Sequence, residues 1–279
     1  MVMSLIAIQG AIRYGKFISR RKSMVKWRGV HLMLNVTARL DLMSKILDTL
    51  KAVVEDAKFD FKENSLHIRV VDQSHVPMIQ MDIDSAAFDT WELDETSLAF
   101  EIDVVRNLVS LGTPDEMLNL KADEGTGMLH AKLGNVEGEL RTIDPSTITV
   151  PALPPLDPKC KVHLSGNDFI RILKAAALGG DMMTLSIGGD HFTVSASGTN
   201  SNIQVKFHKD NLQLFEYDNQ AHSQYSLGYL QPLTKVIGRV ETLEIGFGEN
   251  YPLAINLSLI HISEPTRPRL ISYAVFCLK

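Results

Sequence analysis

Two stretches of this chain carry the 3.6-residue apolar period of a helix with one buried face. In "LDLMSKILDTL" (40–50), Leu40, Met43, Leu47 and Leu50, with Val54 beyond, follow i, i+3, i+7 spacing. In "NDFIRILKAAA" (167–177), Phe169, Ile172, Leu173 and Ala176 do the same. Each stretch is followed by runs of alternating apolar and polar residues, the period of a half-buried strand. These are "SLHIRVV" and "VPMIQMDI" after the first, "HFTVSAS" and "NIQVKF" after the second. Both places then show a strand entering a second helix (97–111 and 223–237) and a hairpin (116–133 and 241–257). The offset is about 125 residues throughout, so the body is an internal repeat. The pattern predicts an α+β fold of two similar, pseudo-symmetric domains, each with helices on one face of antiparallel sheets. Each half itself reads as a helix-plus-strands unit used twice.

The two halves, 33–147 and 161–257, are separated by a proline-rich connector over 148–160. Four of the eleven prolines fall between Pro151 and Pro158. They keep the segment extended and poor in backbone donors, a strap more than a floppy tether.

The repeat also predicts how the second half should end. The first half closes with a further strand, "VEGELRTI" (136–143), so another strand is expected past Leu257. The chain instead reads "SLIHISEPTRPRLISYAVFCLK", with Pro265 and Pro268 where ladder donors are wanted. This run resembles a translated sequencing adapter. Residues 258–279 are therefore expected to be a non-homologous, artefactual tail that leaves the second domain incomplete and a sheet edge unpaired. At the other end, residues 1–30 hold seven Lys/Arg and no acid. Residues 1–32 are expected to lie outside the repeat, as an organelle presequence or through a start misassigned upstream of Met33.

Charge changes the picture once it is divided along the chain. The net −5 hides an acidic body, because residues 31–257 carry 18 basic and 32 acidic side chains. Such a body argues against phosphate binding over the whole surface and leaves room for one local basic face. Two cysteines, Cys160 and Cys277, are too few for a disulfide framework and fit a reducing, cytoplasmic setting. No apolar run reaches membrane-span length.

Catalytic and metal chemistry is not signalled. Nine histidines are present, but HExxH, CxxC, GxSxG and Walker-type glycine loops are all missing. His67, His191 and His208 sit in strand patterns, and "GFGEN" (246–250) reads as a hairpin turn. Asp82 and Asp84 alternate with apolar residues, as on the wet face of a strand. The expectation is a binding module with no enzymatic activity, cofactor or metal.

One resemblance adds to this reading. "RVVDQSHVPMIQMDI" (69–83), "FDTW" (88–91), "SGNDFIRIL" (165–173), "FTVSASGTNSNIQVKF" (192–207), "YSLGYLQPLTK" (225–235) and "PLAINL" (252–257) occur in one order over roughly 33–257. Together they resemble the sliding clamps of the proliferating cell nuclear antigen family, archaeal ones above all. The resemblance implies a ring of three chains around duplex DNA, with helices lining the pore and sheets forming the wall. It implies partners that include a DNA polymerase, a loading ATPase and other replication or repair proteins with a clamp-binding motif. A heteromeric or checkpoint ring, and an enzyme with duplicated α+β domains, are the alternatives.

If every helix turns its polar side to one face, that face carries Lys45 and Lys51, Arg106, Arg171 and Lys174, then Lys235 and Arg239. These are the candidate DNA-contacting residues, with Asp41 and Asp48 diluting the first helix. By the resemblance, ring closure would pair "NVEGELRTI" (135–143) with "SNIQVKFHK" (201–209), Glu137 and Glu139 meeting Lys206 and Lys209. A partner peptide would dock against Val71, His75 and Val76 at a loop mouth. Ile148, Val150 and Pro151 on the connector and Pro252 on the floor complete that candidate site.

Overall fold

The computed structural model describes residues 32–123, 126–151, 156–238, 240–258 and 273–278. The N-terminal extension, up to residue 31, lies outside the described residues. The first half runs β1 (Leu32–Arg39), α1 (Leu40–Lys51), β2 (Asp56–Phe61), β3 (Ser65–Val71), β4 (Met78–Asp84), β5 (Thr90–Leu93) and β6 (Thr96–Glu101). It continues with α2 (Ile102–Val109), β7 (Met117–Asp123), β8 (Met128–Leu133) and β9 (Val136–Arg141). The second half repeats the series: β10 (Cys160–Leu164), α3 (Gly166–Gly179), β11 (Met182–Gly188), β12 (His191–Ser197), β13 (Asn202–His208), β14 (Phe215–Tyr217) and β15 (Ala221–Ser226). There follow α4 (Leu227–Leu230), α5 (Thr234–Ile237), β16 (Leu243–Phe247), β17 (Leu253–Ser258) and β18 (Tyr273–Leu278).

The predicted helix faces are the buried ones. Leu40, Met43, Leu47 and Leu50 are buried on α1, and Phe169, Ile172, Leu173 and Ala176 on α3; Val54 is half-buried beyond the helix end. A capping pair starts α3: the Ser165 hydroxyl accepts from the Asp168 N–H at 3.0 Å and donates to the Asp168 carboxylate at 2.7 Å. The second helix of the second half departs from expectation. Pro232 brings no N–H and crowds the preceding turn, so the segment splits into α4, a 3-10 turn over Gln231–Leu233, and α5.

Three antiparallel sheets follow from the repeat. One is first-half only, in the order β5-β1-β7-β8-β9, and one is second-half only, β13-β12-β11-β15. The third has nine strands, β14-β10-β16-β17-β18-β4-β3-β2-β6. It is the five-strand type of the second half joined to the four-strand type of the first, and the joint is β18 against β4.

That joint overturns the expected unpaired edge. β18 pairs with β17 from Leu253↔Leu278 to Ser258↔Tyr273, and with β4 from Tyr273↔Asp82 to Cys277↔Met78. The slot between β4 and β17 is lined by main-chain donors and acceptors, which take a strand of any sequence able to lie extended. "YAVFCL" is rich in β-branched and aromatic residues, and Pro265 and Pro268 both precede it.

The helices form a single layer. α1 packs on α2, α3 on α4 and α5, and α1 also meets α5, which links the two halves. α3 covers β11, β12 and β13. Its N-terminus comes so close to the end of α5 that a Cβ on Gly166 would lie 2.1 Å from the Ile237 carbonyl oxygen.

Candidate nucleic-acid interface and connector surface

Of the predicted cations, Lys45, Lys51 and Arg106 are half-buried and Arg171, Lys174 and Lys235 are exposed, and their environments differ sharply. In the first half every one is paired. Lys45 Nζ lies 2.8 Å from Asp41 on the same helix. Lys51 Nζ is 2.6 Å from Asp103 on α2 and 3.1 Å from Glu55. Arg106 Nε donates to Asp48 at 2.8 Å, and its guanidinium reaches Asp103 at 3.8 Å. The hydrogen bond that Lys51 donates to Asp103 raises the Lys51 pKa above the ordinary lysine value, opposed by burial.

In the second half, Arg171 and Lys174 stand on the exposed stripe of α3 with Asn167 and Leu178, at i, i+4, i+7 and i+11. Lys235 is exposed on the neighbouring α5. Among the described residues no carboxylate comes within ion-pairing distance of these three. Arg239 lies outside the described residues.

The connector is fastened at both ends of the nine-stranded sheet. Just ahead of it, at the end of the first half, the Ile143 N–H donates to the Ala99 carbonyl on β6 at 2.7 Å. Asp144 then caps the turn Pro145–Thr147 by accepting from the Ser146 N–H at 2.9 Å. The Ser146 amide, with the Ser146 hydroxyl, holds the Asp144 carboxyl below the ordinary aspartate pKa. At the far end, the Asp157 N–H donates to Tyr251 Oη at 3.0 Å, and Pro158 packs on β16 where a Cβ on Gly246 would lie 2.5 Å from it. The strap therefore runs from β6 to β16, six strand spacings or about 29 Å.

The other candidate docking residues gather at one end of the sheet's central joint. Met78 faces Cys277, and Leu253 faces Leu278, so Val76 and Pro252 lie just before strands that flank β18. Two strand spacings, about 10 Å, separate those positions. Val71, Val76, Ile148, Val150, Pro151 and Pro252 are all half-buried, neither core nor fully solvated, and His75 is exposed. The loop is built on Asp72, which accepts from the Val76 N–H at 3.0 Å, with His75 in the left-handed region at φ 55°. Connector residues 152–155 lie outside the described residues.

Sequence reasoning missed the tyrosines that brace this surface. Tyr225 Oη donates to the Tyr251 carbonyl at 2.7 Å, and Tyr229 Oη lies 3.4 Å from Ser74 Oγ. Only the position of Tyr251 beside Pro252 signals its role in the sequence.

The predicted ring-closing strands are both at sheet edges, β9 ending one sheet and β13 another. The charge pairing expected between them is partly used up inside the chain. Glu137 is bonded to Lys132, Lys209 Nζ lies 2.8 Å from Asp190, and Glu139 is 3.5 Å from His130. Of the four, Glu137, Glu139 and Lys209 are reached first by hairpin neighbours, and Lys206 has no carboxylate within ion-pairing distance among the described residues.

Comparisons with known proteins agree with this architecture. A family model described as "Proliferating cell nuclear antigen, N-terminal domain" matches residues 33–140. The DNA polymerase sliding clamp of Haloarcula marismortui is 28% identical over 228 residues, 81% of this chain and 92% of that one. That of Thermoplasma volcanium is 27% identical over 229 residues, 82% of this chain and 92% of its own. Among solved structures, A. fulgidus PCNA bound to the C-terminal region of FEN-1 superposes with a TM-score of 0.79 at 25% identity, covering 88% of this chain and 97% of that one. PCNA from Thermococcus kodakaraensis shares the fold at a TM-score of 0.77 and 19% identity, covering 88% and 99%. The chain is thus similar over 33–140 to the N-terminal domain of proliferating cell nuclear antigen, and over about four fifths of its length to archaeal DNA polymerase sliding clamps.

Proposed function

We propose that copies of this chain close into a three-membered ring around duplex DNA and tether DNA polymerase and other replication or repair proteins to it. The ring has no turnover of its own and works in the cytoplasm. Two clamp domains, 33–147 and 161–257, are joined by the connector over 148–160, beneath which partner peptides dock. The residues named for docking are Val71, His75, Val76, Ile148, Val150, Pro151 and Pro252.

One observation carries this reading. Inside the chain, β18 and α5 of one half meet β4 and α1 of the other. The equivalents of these four elements are β9 with α2 and β13 with α3, and they sit at open edges. A second copy would join them as the chain already joins its own halves. Large apolar side chains stand exposed at these edges, Val104 and Leu111 on one side and Leu178 on the other, as expected of surfaces that are covered on assembly.

The internal joint also supplies a register. Val136 faces Leu133 as Ala274 faces Leu257, and Val205 faces Val194 as Met81 faces Ile68. Since Ala274 pairs with Met81, Val136 would pair with Val205 of the next copy. Gly138 would then meet Ile203 and Leu140 meet Ser201 on the half-buried face. Glu137 would meet Gln204, and Glu139 would meet Asn202, on the wet face. A slip of one residue would set apolar against polar along the whole strand.

The test is retention on DNA. With a clamp-loading ATPase present, the protein should stay on a nicked circular duplex and be lost once that duplex is cut. Its solution mass should be three times 31.0 kDa. Equal retention on circular and linear DNA, or a stable monomer, would overturn the reading.

A further inference from the structure

The two halves of the helix layer occupy equivalent places yet treat their cations oppositely. Aligning Leu40 with Gly166, where α1 and α3 begin, sets Lys45 against Arg171. The same alignment sets Asp41 against Asn167 and Asp48 against Lys174. Aligning Ile102 with Leu227, where α2 and α4 begin, sets Asp103 against Gly228. The three helix carboxylates that neutralise first-half cations, Asp41, Asp48 and Asp103, are thus each replaced in the second half by a neutral or basic residue. The one acid on α3, Asp168, is bonded to the capping Ser165. Flanking residues do not reverse the contrast. Arg39, Glu55 and Glu101 leave the first half net negative, while Asp181, Arg239 and Glu241 leave the second net positive.

We infer that contact with DNA phosphates is confined to the α3–α5 face, through Arg171, Lys174 and Lys235, while α1 and α2 form a self-neutralised stretch of the lining. The inference rests on the clamp reading and adds to it. Each ring would present three cationic cradles separated by neutral spans, and duplex DNA would lean on a cradle in place of touching every helix equally. Paired cations offer a phosphate little net charge, because each already faces a carboxylate 2.6–2.8 Å away that repels it. The free ones release counterions directly when a phosphate arrives.

The experiment compares three forms of the full chain on a 30-bp duplex across a salt series: the original, Arg171→Gln/Lys174→Gln/Lys235→Gln, and Lys45→Gln/Lys51→Gln/Arg106→Gln. The second-half variant should flatten the plot of log K against log salt by about 0.9 for each phosphate that is no longer neutralised. The first-half variant should leave the slope unchanged. Asp48→Asn/Asp103→Asn, which uncovers first-half cations without removing any, should steepen it. Equal flattening by both triple variants, or no steepening by the carboxylate variant, would overturn the inference. Circular-DNA retention of the original chain reports separately on the clamp reading, so the two failures are distinguishable.

Discussion

Lys51 Nζ lies 2.6 Å from Asp103 Oδ2, and this ion pair pins the last turn of α1 to the first turn of α2. Both groups are partly solvated, so the pair contributes little to stability, on the order of 0–1 kcal/mol. Its sign with pH is definite. The Lys51 pKa is raised in the folded chain, so the contribution is complete below the unfolded lysine value of about 10.4 and fades as pH rises through the raised value. Urea unfolding should separate the original from Lys51→Met by under ~1 kcal/mol at pH 8. The separation should vanish well above pH 11; a gap persisting there would exclude the ion pair as its cause.

The close approach of α3 and α5 makes Gly166 a position where one methyl group matters. Gly166→Ala would drive Cβ into the carbonyl oxygens of Ile237 and Val240, 2.1 and 2.4 Å away, both backbone atoms with no easy retreat. We expect a loss of roughly 2–4 kcal/mol in denaturant unfolding, within the range for overpacking and displaced backbone. A loss under ~0.5 kcal/mol would mean that the helices separate freely.

Val150 is half-buried and is one of the connector residues proposed for docking. Val150→Asp should weaken binding of a clamp-binding-motif peptide by at least tenfold while leaving the solution mass unchanged. Isothermal titration and light scattering read the two outcomes separately. Undiminished peptide binding would reduce the connector to a linker.

The proposed ring register can be read with cysteines. Glu137→Cys/Gln204→Cys should give covalently linked rings under mild oxidation, since directly opposed side chains on one face fall within disulfide reach. Glu137→Cys/Val205→Cys places the thiols on opposite faces and should not. Cross-linking of the second pair in preference to the first would shift the register.

Acid should loosen the turn that leads into the connector. The Asp144 carboxyl is held below its ordinary pKa by the Ser146 amide. Its capping contribution is therefore present above about pH 4 and lost as pH falls through the depressed value. Hydrogen exchange at the Ser146 amide should rise, relative to its intrinsic rate, between pH 5 and pH 2.5. In Asp144→Asn that protection should no longer change with acid.

Much of this was legible in the sequence because it depends on period. The buried stripes of α1 and α3, the alternating strands and the repeat itself all follow from which positions meet the core. The charge state of the helix layer was not legible, because Arg106 finds Asp48 across two helices that only the fold brings together. The break at Pro232 was written in the chain, yet the apolar period of 223–237 continued through it. Tyr251 could not be placed from spacing, since its hydroxyl meets a residue far back in the chain, Asp157. The course of β18 was obscured for another reason: a slot made of main-chain groups places few demands on the side chains that fill it.

That slot has a consequence for how the molecule comes apart. Among the described residues, β18 is the strand through which the hydrogen-bonded ladders of the two halves become one sheet. The packing of α1 on α5 links the halves separately. If β18 is displaced, the ladder coupling is broken, and the halves should melt as two units in place of one. A six-residue strand thus sets the size of the cooperative unit, and the integrity of any ring built from it.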